Sequence, residues 1–310
     1  LPGVAGMFLR RGFTHGVASG EPSPNSVLLW TRYVGDADVK LRAEVARDAL
    51  FQKLVAGAEV VAAPDRDYTA KVVVKGLAAG RWYYYRFVAP DGTRSVVGRT
   101  RTLPTGAIDK FGIGLFSCAN LPFGWFNAYA HACERDDLDL IVHVGDYLYE
   151  YAIGTYPSAG ETLTGRVIEP AHEMVTLADY RLRYASYRLD PDLQKLHQSY
   201  PMTPQWDDHE FANDAWVGGA ENHQADKEGD WETRNFINVT YFSIFPLLMY
   251  VLRLSVSREN KLSKWHFGLP FLMLTKPFVV ALLPVLAVSV FKTKGRARHI
   301  ILGSLLMIGV

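Results

Sequence analysis

Three segments of this sequence carry side chains that are able to bind metal ions. Cys118 follows the apolar run FGIGLFS, and Asp146 ends the run LDLIVHVGD within the segment HVGDYLYEY. Further along, the segment WDDHE contains Asp207, Asp208 and His209. Alone, a cysteine often packs as a small buried hydrophobe and an aspartate often closes a turn or caps a helix. Two adjacent acids repel each other unless a cation or a buried partner compensates them, so the segments together predict a metal site.

The elements that carry these side chains predict a parallel sheet. FGIGLFS and LDLIVHVGD are typical of buried strands, and WFNAYAHACERD between them is typical of a helix. In such a sheet, ligands bind at the carboxyl ends of the strands. The segment TLADYRLRYASYRLDPDLQKLHQ is predicted to be helical up to Pro191. After it, PMTPQWDDHEF predicts a third short strand. Three strand ends would therefore bring the thiol, Asp146 and the WDDHE segment together.

Residues 12–104 have the pattern of a small β-sandwich. VLLWTRY, KLRAEVARD, TAKVVVKGL and RWYYYRFVA are rich in β-branched and aromatic residues, and turn clusters separate them. GLAAGRWYYYRF resembles a tyrosine corner, formed by Tyr83, Tyr84 or Tyr85. The sandwich is interpreted as a structural accessory domain, with a ligand-binding module as the alternative.

Charge and cysteine content exclude some classes of function. The 33 basic residues nearly cancel the 32 acidic residues, so no global field indicates nucleic acid, and no specific nucleic-acid recognition is predicted. Two cysteines form no disulfide framework, and the absence of a C-x-x-C pair excludes a zinc knuckle.

Five segments resemble one family, the PhoD-type alkaline phosphatases and phosphodiesterases. They are FTHGVASGEPSPNSVLLWTRY, FSCANLPFGWFNAY, LDLIVHVGDYLYEY, YRLRYASYRLDPDLQ and WDDHEFANDAW. The resemblance runs from about Phe13 to Arg234. It implies a mixed β and α/β fold, in which a fibronectin III-like β-sandwich precedes part of a metallophosphoesterase α/β/β/α sandwich.

The resemblance also implies a metal centre with Fe³⁺ and Ca²⁺. Asp146 would bridge metals and belong to the catalytic set, while Cys118 and Tyr149 would be thiolate and phenolate ligands to iron, a combination that suits iron better than calcium or magnesium.

The WDDHE segment would complete this implied centre. Asp208 would be an acidic metal ligand, and Asn213 would be an oxygen ligand for a harder cation such as calcium. His209 would act near the phosphate, on developing charge or on the leaving oxygen, and Asp207 is expected to lie outside the ligand set.

The implied chemistry follows from the charge of a phosphate ester, which is an anion. Clustered cations screen the phosphoryl oxygens and acidify a water molecule, so the sequence predicts hydrolysis by a water-derived nucleophile. Arg181, Arg183 and Arg188 offer guanidinium groups for the phosphate, although helix arginines are more often exposed.

Residues 235–310 have a different character, and the predicted division is 1–11, 12–104, 105–234 and 235–310. The apolar segments 239–256 and 270–291 are each long enough to cross a bilayer. One explanation is a true membrane region with the phosphatase outside the cytoplasm. The other is unrelated membrane-protein sequence joined to a truncated phosphatase, and a third, less favoured reading is a set of buried soluble helices.

The sequence therefore predicts metal-dependent hydrolysis of phosphate mono- or diesters, impaired because the second half of the catalytic domain is replaced by a hydrophobic helical tail. Its partners would be a phosphate-ester substrate and, through the apolar segments, a membrane. The predicted location is extracytoplasmic. The alternative is an inactive, membrane-tethered binding or adaptor protein.

Overall fold

The computed structural model describes residues 10–216 and 218–231. The predicted region 235–310, with both candidate membrane segments, lies outside these residues, as does most of the predicted segment 1–11. Within the described part of the chain, no helix has the length and apolar character that crossing a bilayer requires.

The first seven strands form two antiparallel sheets. They are β1 (Gly12–Gly20), β2 (Ser26–Val34), β3 (Val39–Ala46), β4 (Leu54–Ala62), β5 (Thr69–Lys75), β6 (Trp82–Val88) and β7 (Gly98–Arg101). The strand orders are β1-β2-β5 and β4-β3-β6-β7. Side chains from both sheets, including Leu29 and Phe87, form one buried cluster. This shared core makes the two sheets a sandwich, and its assignment as fibronectin III-like stays a prediction.

Four of these strands, β2, β3, β5 and β6, coincide with the four predicted runs, whereas β1, β4 and β7 were missed. The β4 segment LVAGAEVVA holds glycine and alanine, which are depleted in strands. The β4 strand forms because it pairs with β3 in an unbroken register from Val39↔Ala62 to Val45↔Ala56. Its structure is therefore set by a neighbour more than by its own propensity.

The predicted tyrosine corner is confirmed, and it is formed by Tyr83. The backbone N–H of Ala78 donates to the Tyr83 hydroxyl at 2.8 Å. Tyr83 is buried, so this bond fixes the turn before β6 from inside the sandwich.

The second half of the described chain contains a parallel sheet, as predicted. Its strands are β8 (Ile113–Phe116), β9 (Leu140–His143) and β10 (Met202–Pro204), in the order β10-β9-β8. Both strand pairs are parallel. The carboxyl ends of all three strands therefore meet at one edge of the sheet, directly before the predicted ligands.

Four helices accompany this sheet: α1 (Asn127–Ala132), α2 (Leu177–Tyr187), α3 (Pro191–Ser199) and α4 (Ala225–Glu228). Short 3-10 helices occur at Pro64–Arg66 and Leu121–Phe123. The prediction of one helix continuing to Pro191 is wrong at its end. The α2 helix stops at Tyr187, and the carboxylate of Asp190 caps α3 by accepting from the N–H groups of Asp192 and Leu193, both at 2.9 Å.

Three buried histidines make the stability of the fold depend on pH. Burial, with Arg32 and Arg188 nearby, lowers the pKa of His15 to about 3. Burial lowers the pKa of His143 to about 4 and that of His197 well below its ordinary value. Below pH 6.5 the unfolded chain therefore binds protons that the folded chain does not, and stability falls as the pH falls.

Between pH 6.5 and pH 5 each of these histidines should lower the free energy of unfolding by up to roughly 1.4 kcal/mol per pH unit, and the buried Glu210, whose pKa burial raises to about 7, should offset about one of the three. Chemical denaturation at several pH values measures this slope. The variant His143→Gln should reduce this slope by roughly 1.4 kcal/mol per pH unit, because it removes the contribution of one proton. A free energy of unfolding that is flat across this range would contradict the expectation.

Candidate metal centre

Asp146 is the centre of the candidate site. It follows the end of β9 and is 8% exposed. Its Oδ2 accepts hydrogen bonds from Cys118 Sγ at 3.4 Å and from Tyr149 Oη at 3.1 Å. Its Oδ1 is buried and has no hydrogen-bond partner among the described residues. A buried carboxylate oxygen without a partner is costly, which is a reason to expect a cation there.

The backbone around Asp146 has an uncommon conformation. Cys118 has φ 58° and Asp146 has φ 54°, in the left-handed region that residues with a side chain rarely adopt. At Gly145, with φ 116°, an added Cβ would lie 2.3 Å from the Cβ of Asp207. Glycine is therefore required before Asp146, and the strained residues are those that carry the predicted ligands, as is common at functional sites.

The WDDHE segment meets Asp146 across the edge of the sheet. Ligand atoms of Asp146, Asp208 and His209 all lie within 4.8 Å of one another. Cys118 and Tyr149 join this group through Asp146. The structure thus brings together five of the six predicted site residues, from all three strand ends.

Asn213, the sixth predicted residue, is held by two acids. Its backbone N–H donates to Glu150 Oε1 at 2.6 Å, and its side-chain amide donates to Glu221. Its role as a metal ligand stays a prediction.

Glu210 fixes the loops that carry the site, and sequence reasoning missed it. Its buried carboxylate accepts from the N–H groups of Asp146 at 3.0 Å, Asp207 at 2.7 Å and Tyr147. Burial raises the pKa of Glu210 to about 7, while the three N–H groups favour its ionised form. Because these bonds join the loop after β9 to the loop after β10, Glu210 acts as a clamp between two strand ends.

Glu150, which was also missed, orients His209. The Glu150 carboxylate is fully buried, and its Oε2 lies 2.9 Å from His209 Nδ1. A carboxylate only accepts, so Nδ1 carries a proton. Burial lowers the pKa of His209, but the hydrogen bond and charge of Glu150, with Asp146 and Asp208, outweigh burial and raise it.

Negative charge accumulates around the site. Burial, followed by the charge of Asp146, raises the pKa of the Tyr149 phenol well above its ordinary value. Burial and the charges of Asp146 and Asp208 also raise the pKa of Asp207. These are the shifts expected where several acids converge. The donor set of thiol, phenol, carboxylates and imidazole thus fits a metal centre.

The predicted role of an arginine in binding phosphate is wrong for Arg183. Its guanidinium is fully buried and donates to five backbone carbonyls. These belong to Tyr149, Tyr151, Glu169, Pro170 and His172. The other two candidates contact the sandwich: Arg181 donates to the carbonyl of Asp65 at 2.7 Å, and the Arg188 guanidinium lies 4.2 Å from the centre of the Trp30 ring.

Comparisons with known proteins agree with this fold. The sequence model of the PhoD-like phosphatase family matches residues 111–252, and the model of the PhoD-like phosphatase N-terminal domain matches residues 5–104. These two matched segments are therefore those of a PhoD-like phosphatase. The match extends past residue 234, where the motif resemblance was expected to end.

Two relatives show how much of a full-length protein the chain covers. It is 39% identical over 213 residues to alkaline phosphatase D of Bacillus subtilis (strain 168), which is 65% of this chain and 36% of that protein. A solved structure of PhoD is 34% identical with a TM-score of 0.65, over 71% of this chain and 44% of the other. The chain thus spans less than half the length of either relative.

Proposed function

We propose that this chain hydrolyses phosphate mono- or diesters in a metal-dependent reaction. The observation that carries the proposal is the convergence of a thiol, a phenol and a second carboxylate on Asp146, whose Oδ1 is buried without a partner. The match to the PhoD-like phosphatase family model and the likeness to alkaline phosphatase D support the same reaction.

The residues present suggest which metals they would hold. Cys118 and Tyr149, with Asp146, would bind Fe³⁺, because thiolate and phenolate are anionic ligands that suit iron. Asp208 and Asn213 would bind Ca²⁺ through oxygen. When bound, the cations would screen the phosphoryl oxygens and acidify a water molecule.

The protein's own contribution to the reaction is largest at His209. Because Glu150 holds Nδ1–H, the Nε2 atom is the one that can hydrogen-bond to a substrate oxygen. The acidic neighbours favour the imidazolium, which can donate a proton to the leaving oxygen. Glu210 holds the loops of Asp146 and Asp207 in fixed positions next to each other, because it accepts hydrogen bonds from the backbone N–H groups of both residues.

The predictions of location, membrane anchoring and reduced turnover concern the chain outside this site. The extracytoplasmic location and the membrane anchor belong to the proposal, and they are supported by the apolar sequence after residue 234. Reduced turnover relative to full-length relatives, and the alternative of an inactive adaptor, stay predictions.

Removal and return of metal test the proposal directly. The full chain, reconstituted with Fe³⁺ and Ca²⁺, should release p-nitrophenolate from p-nitrophenyl phosphate or bis(p-nitrophenyl) phosphate. Chelation should stop this release, and re-addition of both ions should restore it. Hydrolysis that persists after the metals are removed, or none when they are bound, would contradict the proposal.

A further inference from the structure

Two exposed aromatic rings border the candidate metal centre. Phe123 is 41% exposed and Tyr156 is 49% exposed. Their ring centroids lie 5.0 Å apart, with the rings meeting edge to face. Single exposed apolar residues are ordinary on a protein surface, whereas contiguous exposed apolar groups are typical of binding sites, and these two rings touch beside the candidate metal centre. We call Phe123 and Tyr156 the aromatic wall.

The aromatic wall is continuous with the site. The Tyr156 ring lies 5.9 Å from the ring of Tyr149 and 5.5 Å from that of Tyr151. Both of these tyrosines contact His209, at centroid distances of 4.3 Å and 5.5 Å. An unbroken row of rings therefore runs from the aromatic wall to the imidazole beside Asp146. A group attached to a phosphate near His209 would meet this row.

Hydrogen bonds to the backbone hold the loops that carry Phe123 and Tyr156 in place. Asn120 Nδ2 donates to the carbonyl of Tyr156 at 3.3 Å, which ties the two segments together. The buried Arg166 donates to the carbonyl of Leu121 at 3.0 Å and pairs with Asp190 at 2.5 Å. A surface that is already ordered loses little conformational entropy when it binds a ligand.

We propose that the aromatic wall binds an aromatic group esterified to the phosphate, so that the chain prefers aryl phosphate esters to short alkyl esters of equal charge. The proposal rests on the proposed function, because it specifies the substrate class of that same site. Two rings at 75° present both a face and an edge, and these are the surfaces that offset-stacked and edge-to-face contacts with another aromatic ring require. An ethyl group offers neither this geometry nor the area.

Binding of two phosphonates tests the preference without relying on turnover. Benzylphosphonate and ethylphosphonate carry equal charge, and their carbon–phosphorus bonds replace the ester bond. Calorimetric titration of the metal-reconstituted full chain should give a Kd for benzylphosphonate about fivefold lower than that for ethylphosphonate. In the double variant Phe123→Leu, Tyr156→Leu the two values should become equal, while ethylphosphonate binds as before. Leucine keeps apolar cover at both positions, so the variant removes the rings alone.

The control variant replaces an aromatic residue of the sandwich, away from the aromatic wall. The variant Tyr84→Leu, in β6, should keep the preference for benzylphosphonate. Equal binding of both phosphonates to the parent chain, or a preference that survives in the double variant, would overturn the inference and leave the proposed function intact. Loss of ethylphosphonate binding in the double variant would also overturn it, because the rings would then support the fold of the site. If the parent chain binds neither phosphonate, the proposed function fails and the inference fails with it.

Discussion

The Asp146→Asn variant should lose at least about a hundredfold in kcat/KM for phosphate ester hydrolysis while it remains folded. Changes to residues that only support metal ligands commonly cost 10- to 100-fold, and a residue at the centre of the cluster should cost no less. The amide removes a negative charge at the point where Cys118 and Tyr149 converge. It also replaces one acceptor oxygen with a donor.

The comparison for this variant is Asp109→Asn, which removes one carboxylate at an exposed position. Steady-state kinetics on both variants, with circular dichroism to check folding, separate loss of chemistry from loss of charge. Turnover by Asp146→Asn at the level of Asp109→Asn would exclude Asp146 from the reaction.

Replacing Arg183 by methionine should destabilise the described fold by about 3–5 kcal/mol, because carbonyl oxygens inside the protein would lose a charged donor. The Arg183 guanidinium is fully buried and serves five carbonyls, among them those of Tyr149 and Tyr151. The segment that carries Tyr149 should therefore loosen, and metal affinity should fall with stability.

The matched control is Arg181→Met on the same helix, since Arg181 donates to a single carbonyl, that of Asp65. Guanidinium chloride denaturation should show a shift of less than about 1 kcal/mol for this control. A cost at Arg183 as small as the cost at Arg181 would mean that the five carbonyls find other partners.

The parallel sheet could be predicted because β8 and β9 come from apolar runs, but the expectation of two buried strands is wrong for β8, in which Ile113 is 45% exposed and Leu115 is 66% exposed. LDLIVHVGD combines the buried residues Leu140 and Ile141 with a turn at Gly145, and this pattern is visible within the segment itself. β4 was missed because its glycine and alanines give it little strand propensity of its own, and the strand forms through its pairing with β3. The break between α2 and α3 has a local cause, because Asp190 caps α3 and Pro191 stands in its first turn.

The site residues could be predicted where motifs place ligands at strand ends. They could not be predicted where a charged side chain binds backbone N–H groups. Glu150 and Glu210 lie in the same motifs as Asp146 and Asp208, yet nothing local distinguishes a carboxylate that holds a loop from one that faces a metal. The N–H groups of Asp146 and Tyr147 donate to Glu210, which lies 64 and 63 residues away in the sequence. Only the folded arrangement of the loops assigns these roles.

Metal content of the purified full chain, measured by elemental analysis beside an Asp146→Asn control, tests the central claim most directly. The account predicts iron and calcium in near whole-number ratio to the protein, and loss of both in the control. Absence of bound metal from the parent chain, or equal metal in the two proteins, would contradict a metal centre built on Asp146.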